Sequence, residues 1–287
     1  MLCRTLTIAL FAGSLALPAS SLAYDIKPKI PETAYSGKLR PDILGMSADT
    51  TADSARAALD ALFRDRKDSK IDIGQQKFGG TSVGYLAALN FATPAGAKQN
   101  GEVVSANFTS PASANRAYFI GRTLTFAQDQ QPLRADMLKQ VMDKYGEPTI
   151  VGDQHLYYIY RRGSIMSVGG KYKEAAALET IGKPLDPRMA LKLNADSGRG
   201  SCVAVVKRAL AKDKTLTALL DDAKGANCDG VLSVQFTPGA SADRIGNAQF
   251  TLLDVKRIVS AVAIDNEALA AEQNERNPIP KGNTPKL

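Results

Sequence analysis

Hydrophobic and polar residues alternate through much of the chain. Ile71 and Ile73 are separated by polar neighbours, and a period of two runs through Leu86–Phe91 and Val103–Phe108. In Tyr118–Phe126, Phe119, Gly121, Thr123 and Thr125 fall on one face, and Tyr118, Ile120, Leu124 and Phe126 on the other. His155–Arg161 puts Leu156, Tyr158 and Tyr160 together. Gly163 then marks a turn, and Ile165–Val168 reads as the return strand. Cys202–Val206, Val231–Phe236 and Phe250–Val255 complete the predicted strands. Alternation of this kind belongs to antiparallel sheets with one face buried.

Other stretches carry helical spacing. Ser47 to Asp53 supplies the hydroxyls and carboxylates that suit a first turn, and Ala55, Ala58, Leu59, Leu62 and Phe63 follow as one apolar face. Pro132 opens a second helix with Leu133, Met137, Leu138, Val141, Met142 and Tyr145 inward. Gly146 stops it and Pro148 bars continuation. Leu216–Lys224 predicts a short helix, and Ile258, Val259, Val262 and Leu269 a final one. The predicted fold is α+β: antiparallel sheets packed with amphipathic helices, in two regions. An extended lead spans 24–40 and an N-terminal α+β domain 41–172. A linker rich in turn residues (Pro184, Pro187, Asp196 to Gly200) spans 173–200. A C-terminal α/β unit spans 201–272, and a polar, proline-bearing tail expected to be disordered covers 273–287.

The first 23 residues read as a secretory signal. Arg4 gives a positive start, Leu6 through Leu17 an apolar run too short to span a bilayer, and Ser21-Leu22-Ala23 the small residues of a cleavage site. Cleavage after Ala23 removes Cys3 and leaves Cys202 and Cys228. A pair of cysteines in an exported chain predicts a disulfide; its loop stabilises the fold by roughly 3 kcal/mol in the chain-entropy model. No other segment is apolar for the roughly 18 residues of a membrane span, so none is expected after cleavage. The expected location is the periplasm or the exterior.

Charge and composition narrow the chemistry. The 287 residues hold 36 Lys+Arg against 29 Asp+Glu, a formal +7, yet no dense basic block marks a nucleic-acid face. The single His is too few for a histidine-built metal centre. No metal site and no cofactor is expected.

Two catalytic look-alikes overlap in one stretch. Lys77-Phe78-Gly79-Gly80-Thr81-Ser82-Val83 resembles the aspartate-kinase signature, in which a glycine turn lies beneath ATP phosphates; that activity is set aside for an exported chain with no ATP supply. Gly80-Thr81-Ser82-Val83-Gly84 fits the G-x-S-x-G nucleophile turn of α/β-hydrolases. A triad on it needs Ser82, an acid such as Asp143, and His155 as base. The competing reading is a glycine-rich hairpin turn. Tyr157, Tyr158 and Tyr160 either line a ligand surface or pack as an alternating strand. Asn107-Phe108-Thr109 is a glycosylation sequon, relevant only in a eukaryotic secretory pathway.

Leu44-Gly45-Met46-Ser47 before a helix resembles the opening of the SmpA/OmlA (BamE-like) envelope modules and of β-lactamase-inhibitor-protein repeats. Leu138 to Tyr145-Gly146-Glu147-Pro148, followed by the aromatic strand Tyr157–Tyr160, is similar to the second half of such modules. The likeness covers residues 42–170. It implies a small two-helix, antiparallel-sheet unit that binds other proteins and does no chemistry. The strand aromatic here is Tyr where those modules have Trp, and no lipid-bearing Cys follows the leader.

The expected function is therefore a non-enzymatic exported protein that binds a protein or cell-envelope partner, with no catalytic residue. The alternatives are a secreted serine hydrolase using Ser82 and His155, and an inhibitor of a secreted enzyme.

Overall fold

The computed structural model describes residues 26–35, 40–151, 154–165, 202–211, 214–226 and 228–276. They form an α+β fold: one antiparallel sheet with helices on both faces. The strands are β1 (Lys70–Lys77), β2 (Gly84–Thr93), β3 (Gly101–Phe108), β4 (Ala117–Thr125), β5 (Ile150–Val151), β6 (His155–Arg161), β7 (Ser164–Ile165), β8 (Gly230–Pro238) and β9 (Ile245–Leu253). Their order is β1-β2-β3-β4-β9-β8-β6-β5, with β7 on β6. The helices among the described residues are α1 (Ala52–Leu62), α2 (Arg134–Tyr145), α3 (Cys202–Ala211), α4 (Leu216–Gly225) and α5 (Val255–Arg276).

The caps explain where the helices begin and end. The Thr51 side chain accepts from the Ser54 N–H, and Ser54 returns the bond to the Thr51 backbone, a reciprocal box that starts α1. α2 ends at Gly146, whose φ of +82° suits glycine and whose N–H donates to Met142. Asp254 starts α5 by accepting from the Arg257 N–H at 3.0 Å.

Cross-strand register sorts the side chains onto two faces. One face carries Leu89, Phe91, Val104, Ala106, Ile120, Leu252, Val234, Leu156, Tyr158 and Tyr160, all buried beneath α1, α2 and the lead. The upper part of the other face carries Phe119, Leu253, Val231 and Ile159 and packs on α3, α4 and α5. Burying each such side chain stabilises the fold by about 1.5–3 kcal/mol.

Several sequence expectations change. Cys202–Val206 is helical, not a strand. Cys202, Val205, Val206 and Ala209 recur at helical spacing and are the buried side of α3. The sheet is not divided at 173–200: β6 from ahead of that stretch pairs with β8 from behind it, and β4 pairs with β9. The linker itself lies outside the described residues, as do the leader, Met166–Val168 of the expected return strand, and the tail beyond Arg276. The tail's first residues, 273–276, continue α5 as helix.

The lead is a strap. Residues 26–35 run without regular structure over the start of α5, and Cys202 and Cys228 are joined by a disulfide with Cα atoms 5.9 Å apart. The bridge ties α3 to the residue pair that precedes β8. Among the described residues, no helix is long and apolar enough to cross a membrane.

Candidate functional site

Ser82 sits in the β1–β2 turn, and the turn accounts for its own sequence. Phe78 donates its N–H to Val83 at 2.9 Å, and the Thr81 hydroxyl donates to the Phe78 carbonyl at 2.6 Å while accepting from the Val83 N–H. Thr81 is buried and Ser82 exposed. Gly79, with φ +54°, has no room for a Cβ because Leu269 of α5 fills that space. The glycine that matches a phosphate loop in the kinase-like pattern here seats a helix.

The structure does not bring the triad residues together. His155 opens β6 and lies level with Ala92, the end of β2 far from the turn that holds Ser82. Five strand spacings also intervene between β2 and β6, which at ~4.8 Å each amount to roughly 24 Å. Asp143 is on α2, exposed and paired with Lys139 at 2.6 Å. The stretch is a hairpin turn.

His155 stacks on Tyr157 with ring centroids 5.8 Å apart and planes 5° from parallel. Burial lowers its pKa below the ordinary histidine value; a Gln235 hydrogen bond opposes this, and Lys207 adds to it. Its Nδ1 is buried without a hydrogen-bond partner. Tyr158 and Tyr160 point to the opposite face, fully in the core, where burial raises both hydroxyls. Tyr157 packs beside α3 and is pushed up to about 12 by burial. The tyrosine run is core and cross-strand packing rather than one ligand surface.

Two buried polar clusters are built around acids. Ser110 and Ser113 both donate to Asp265 of α5, at 2.6 and 2.7 Å. Burial raises the Asp265 carboxyl despite those two bonds. Asp254 accepts from the Thr33 hydroxyl at 2.6 Å and the Ala34 N–H at 3.0 Å, so the strap is held by the acid that caps α5. Arg257 stands 3.7 Å from Asp254 and donates to the carbonyls of Ala48 and Ala117. These groups fasten the lead, the α1 entry and α5 to one another. Among the described residues, no cluster of His, Cys, Asp and Glu is suited to a metal ion.

The open site lies at the opposite end of the sheet. The β2–β3 loop, the 3₁₀ turn Gln128–Gln130 and the β8–β9 loop border a shallow, open groove of about 610 Å³. Ala95, Gly96 and Ala97 form one wall, and Thr125, Phe126, Gln128 and Gln131 the other. None of the groove's lining residues is ionisable. A cleft of about 430 Å³ adjoins it, sharing Ala95 and Thr125 and adding Lys70, Glu102 and Val103. Glu102 there is paired with Arg122 at 2.6 Å.

The loops that make the groove are tightly fixed. Gly101 carries no side chain because a Cβ would meet the Ala95 backbone at 2.7 Å. The Asn100 side chain accepts from the Ala127 N–H, and Gln130 donates to the Lys98 carbonyl. Gln131 accepts from the Ala240 N–H at 2.7 Å. Sequence reasoning did not find this site. Its residues come from three separate loops whose small and amide side chains read only as turn composition.

The chain ahead of α1 meets the end of α2. Lys144 pairs with Asp42 at 3.0 Å, and the Tyr145 hydroxyl donates to the Asp42 carbonyl at 2.8 Å. Tyr145 packs edge-on to Tyr158, whose hydroxyl donates to Gly146. No protein-family model matches the chain, nor does any curated protein or solved structure.

Proposed function

We propose that this is an exported protein, periplasmic or secreted, that binds a protein or cell-envelope partner and carries no reaction centre. The groove at the sheet end carries the reading: it is open, fixed by its own hydrogen bonds, and lined by alanine, glycine, amide and hydroxyl groups. Such a surface holds a ligand and has no group to move a proton. The separation of Ser82 from His155 argues against the hydrolase alternative. The Cys202–Cys228 bridge supports an oxidising compartment. The resemblance of Leu44 to Ser47 and of Leu138 to Pro148 to BamE-like binding modules points the same way. An inhibitor of a secreted enzyme is one form of the same binding role.

A fluorophosphonate serine probe tests the catalytic half of this reading. The wild-type protein should stay unlabelled. Labelling that disappears in Ser82→Ala overturns it. Cell fractionation with thiol alkylation tests export: the protein should be recovered outside the cytoplasm with Cys202 and Cys228 blocked from alkylation until reduced.

A further inference from the structure

Resting on the reading of an exported binding protein, we propose that the groove between the β2–β3 loop and the 3₁₀ turn binds a neutral glycan strand. Three observations select that chemistry. The first is charge. The protein is basic overall, with a formal +7, yet no ionisable side chain lines the groove. In the adjoining cleft Glu102 is already matched by Arg122. A phosphorylated or carboxylated polymer would find no counter-charge among the groove's own lining residues; the flanking cations are Lys70 of the adjoining cleft and Arg244, which donates to the Gln131 carbonyl at 2.8 Å.

The second is which polar groups remain on offer. An extended peptide is recognised chiefly by a free ladder of backbone groups. Here several of the wall backbone groups are taken. Gly96 exchanges bonds with Gln99, Phe126 donates to Gly246, Ala127 donates to Asn100, and Ala240 donates to Gln131. The ligand meets side chains: the Thr125 hydroxyl, which accepts from Asn247 and keeps its own proton to donate, the Gln128 amide, and the Gln131 amide, whose oxygen is held by Ala240 so that its NH₂ group faces a ligand. Planar amides and hydroxyls supply the mixed donors and acceptors that vicinal sugar hydroxyls require.

The third is shape. Ala95, Gly96, Ala97 and Ala240 keep the floor and rim low, and Phe126 is the one aromatic ring in the lining. Phe126 is half-buried against the core, and its exposed part beside the amides suits a sugar, whose faces are apolar C–H and whose rim is hydroxyl. The open groove admits a chain passing through rather than a ligand sealed inside.

The test uses the purified full chain and two uncharged probes of different linkage, chitohexaose and maltohexaose, in isothermal titration calorimetry. At least one should bind saturably at submillimolar concentration, with an affinity unchanged between 50 and 500 mM salt. Gln128→Ala, at an exposed position, should weaken binding about tenfold. Ala97→Trp, which fills the groove from its rim, should abolish it. Both variants should keep the wild-type melting temperature, and Ser82→Ala should bind as wild type. No binding of either probe at millimolar concentration, binding that survives Ala97→Trp, or binding that falls with salt overturns the glycan assignment. The serine-probe and fractionation results are independent of it. The proposed binding role stands if a protein partner is captured by a chain that binds neither sugar.

Discussion

Tyr35 lies over Gly230 so closely that a methyl group on the glycine would meet the tyrosine hydroxyl at 2.6 Å. The hydroxyl donates to the Leu253 carbonyl at 2.8 Å, and the ring packs edge-on to Tyr160 at 4.8 Å. The lead is thus seated in a slot that only a side-chain-free residue at the start of β8 leaves open. Gly230→Ala should destabilise the fold by about 1–3 kcal/mol, the usual cost of overpacking. Urea unfolding reads this directly. Tyr35→Ala in the Gly230→Ala background should show less than additive loss, because the two changes act on the same contact.

Arg257 is fully buried beside Asp254, which is 1% exposed. Burial raises the Asp254 carboxyl while Arg257 and three hydrogen bonds oppose that rise. Removing the guanidinium leaves the acid without its counter-charge in the interior. Arg257→Ala should therefore cost about 3–5 kcal/mol. Arg257→Ala and Asp254→Ala combined should lose less than the sum of the singles. The comparison is a double-mutant cycle by chemical denaturation.

His155 is the only histidine, so its ring protons can be followed without assignment of others. Burial depresses its pKa below the unfolded value near 6.5. The folded chain then binds fewer protons than the unfolded one. The stability this group contributes is present above about pH 6.5 and is lost as pH falls through the folded pKa. NMR titration should give a midpoint below 6.5, and His155→Gln should flatten the acid limb of the stability curve.

The Cys202–Cys228 bridge closes a separation of 26 residues. Its removal in Cys202→Ser with Cys228→Ser should cost roughly 3–4 kcal/mol in the chain-entropy model. Thermal unfolding of the reduced and oxidised wild type should show the same difference.

The strands were legible because burial on one sheet face enforces a period of two. Leu89 with Phe91, and Leu156 with Tyr158 and Tyr160, are core as read. The end of α2 at Gly146 was legible because a φ of +82° favours glycine. Strand partners were not. β4 pairs with β9 across more than a hundred residues, and alternation marks a face without naming the neighbour. The run Cys202–Val206 fits both periods, and packing against α4 and β8 chose the helix. Of the candidate site, Ser82 and His155 carried recognisable chemistry but not proximity. The groove had the opposite character: its residues converge in space while carrying no motif.

The most direct measurement of the central claim is affinity capture from the protein's own envelope extract, run in parallel on the wild-type chain and Ala97→Trp at equal loading. A component retained saturably by the wild type and lost from the groove-blocked variant is the predicted result. Equal recovery on both, or nothing retained on either, would contradict a binding role for this end of the sheet.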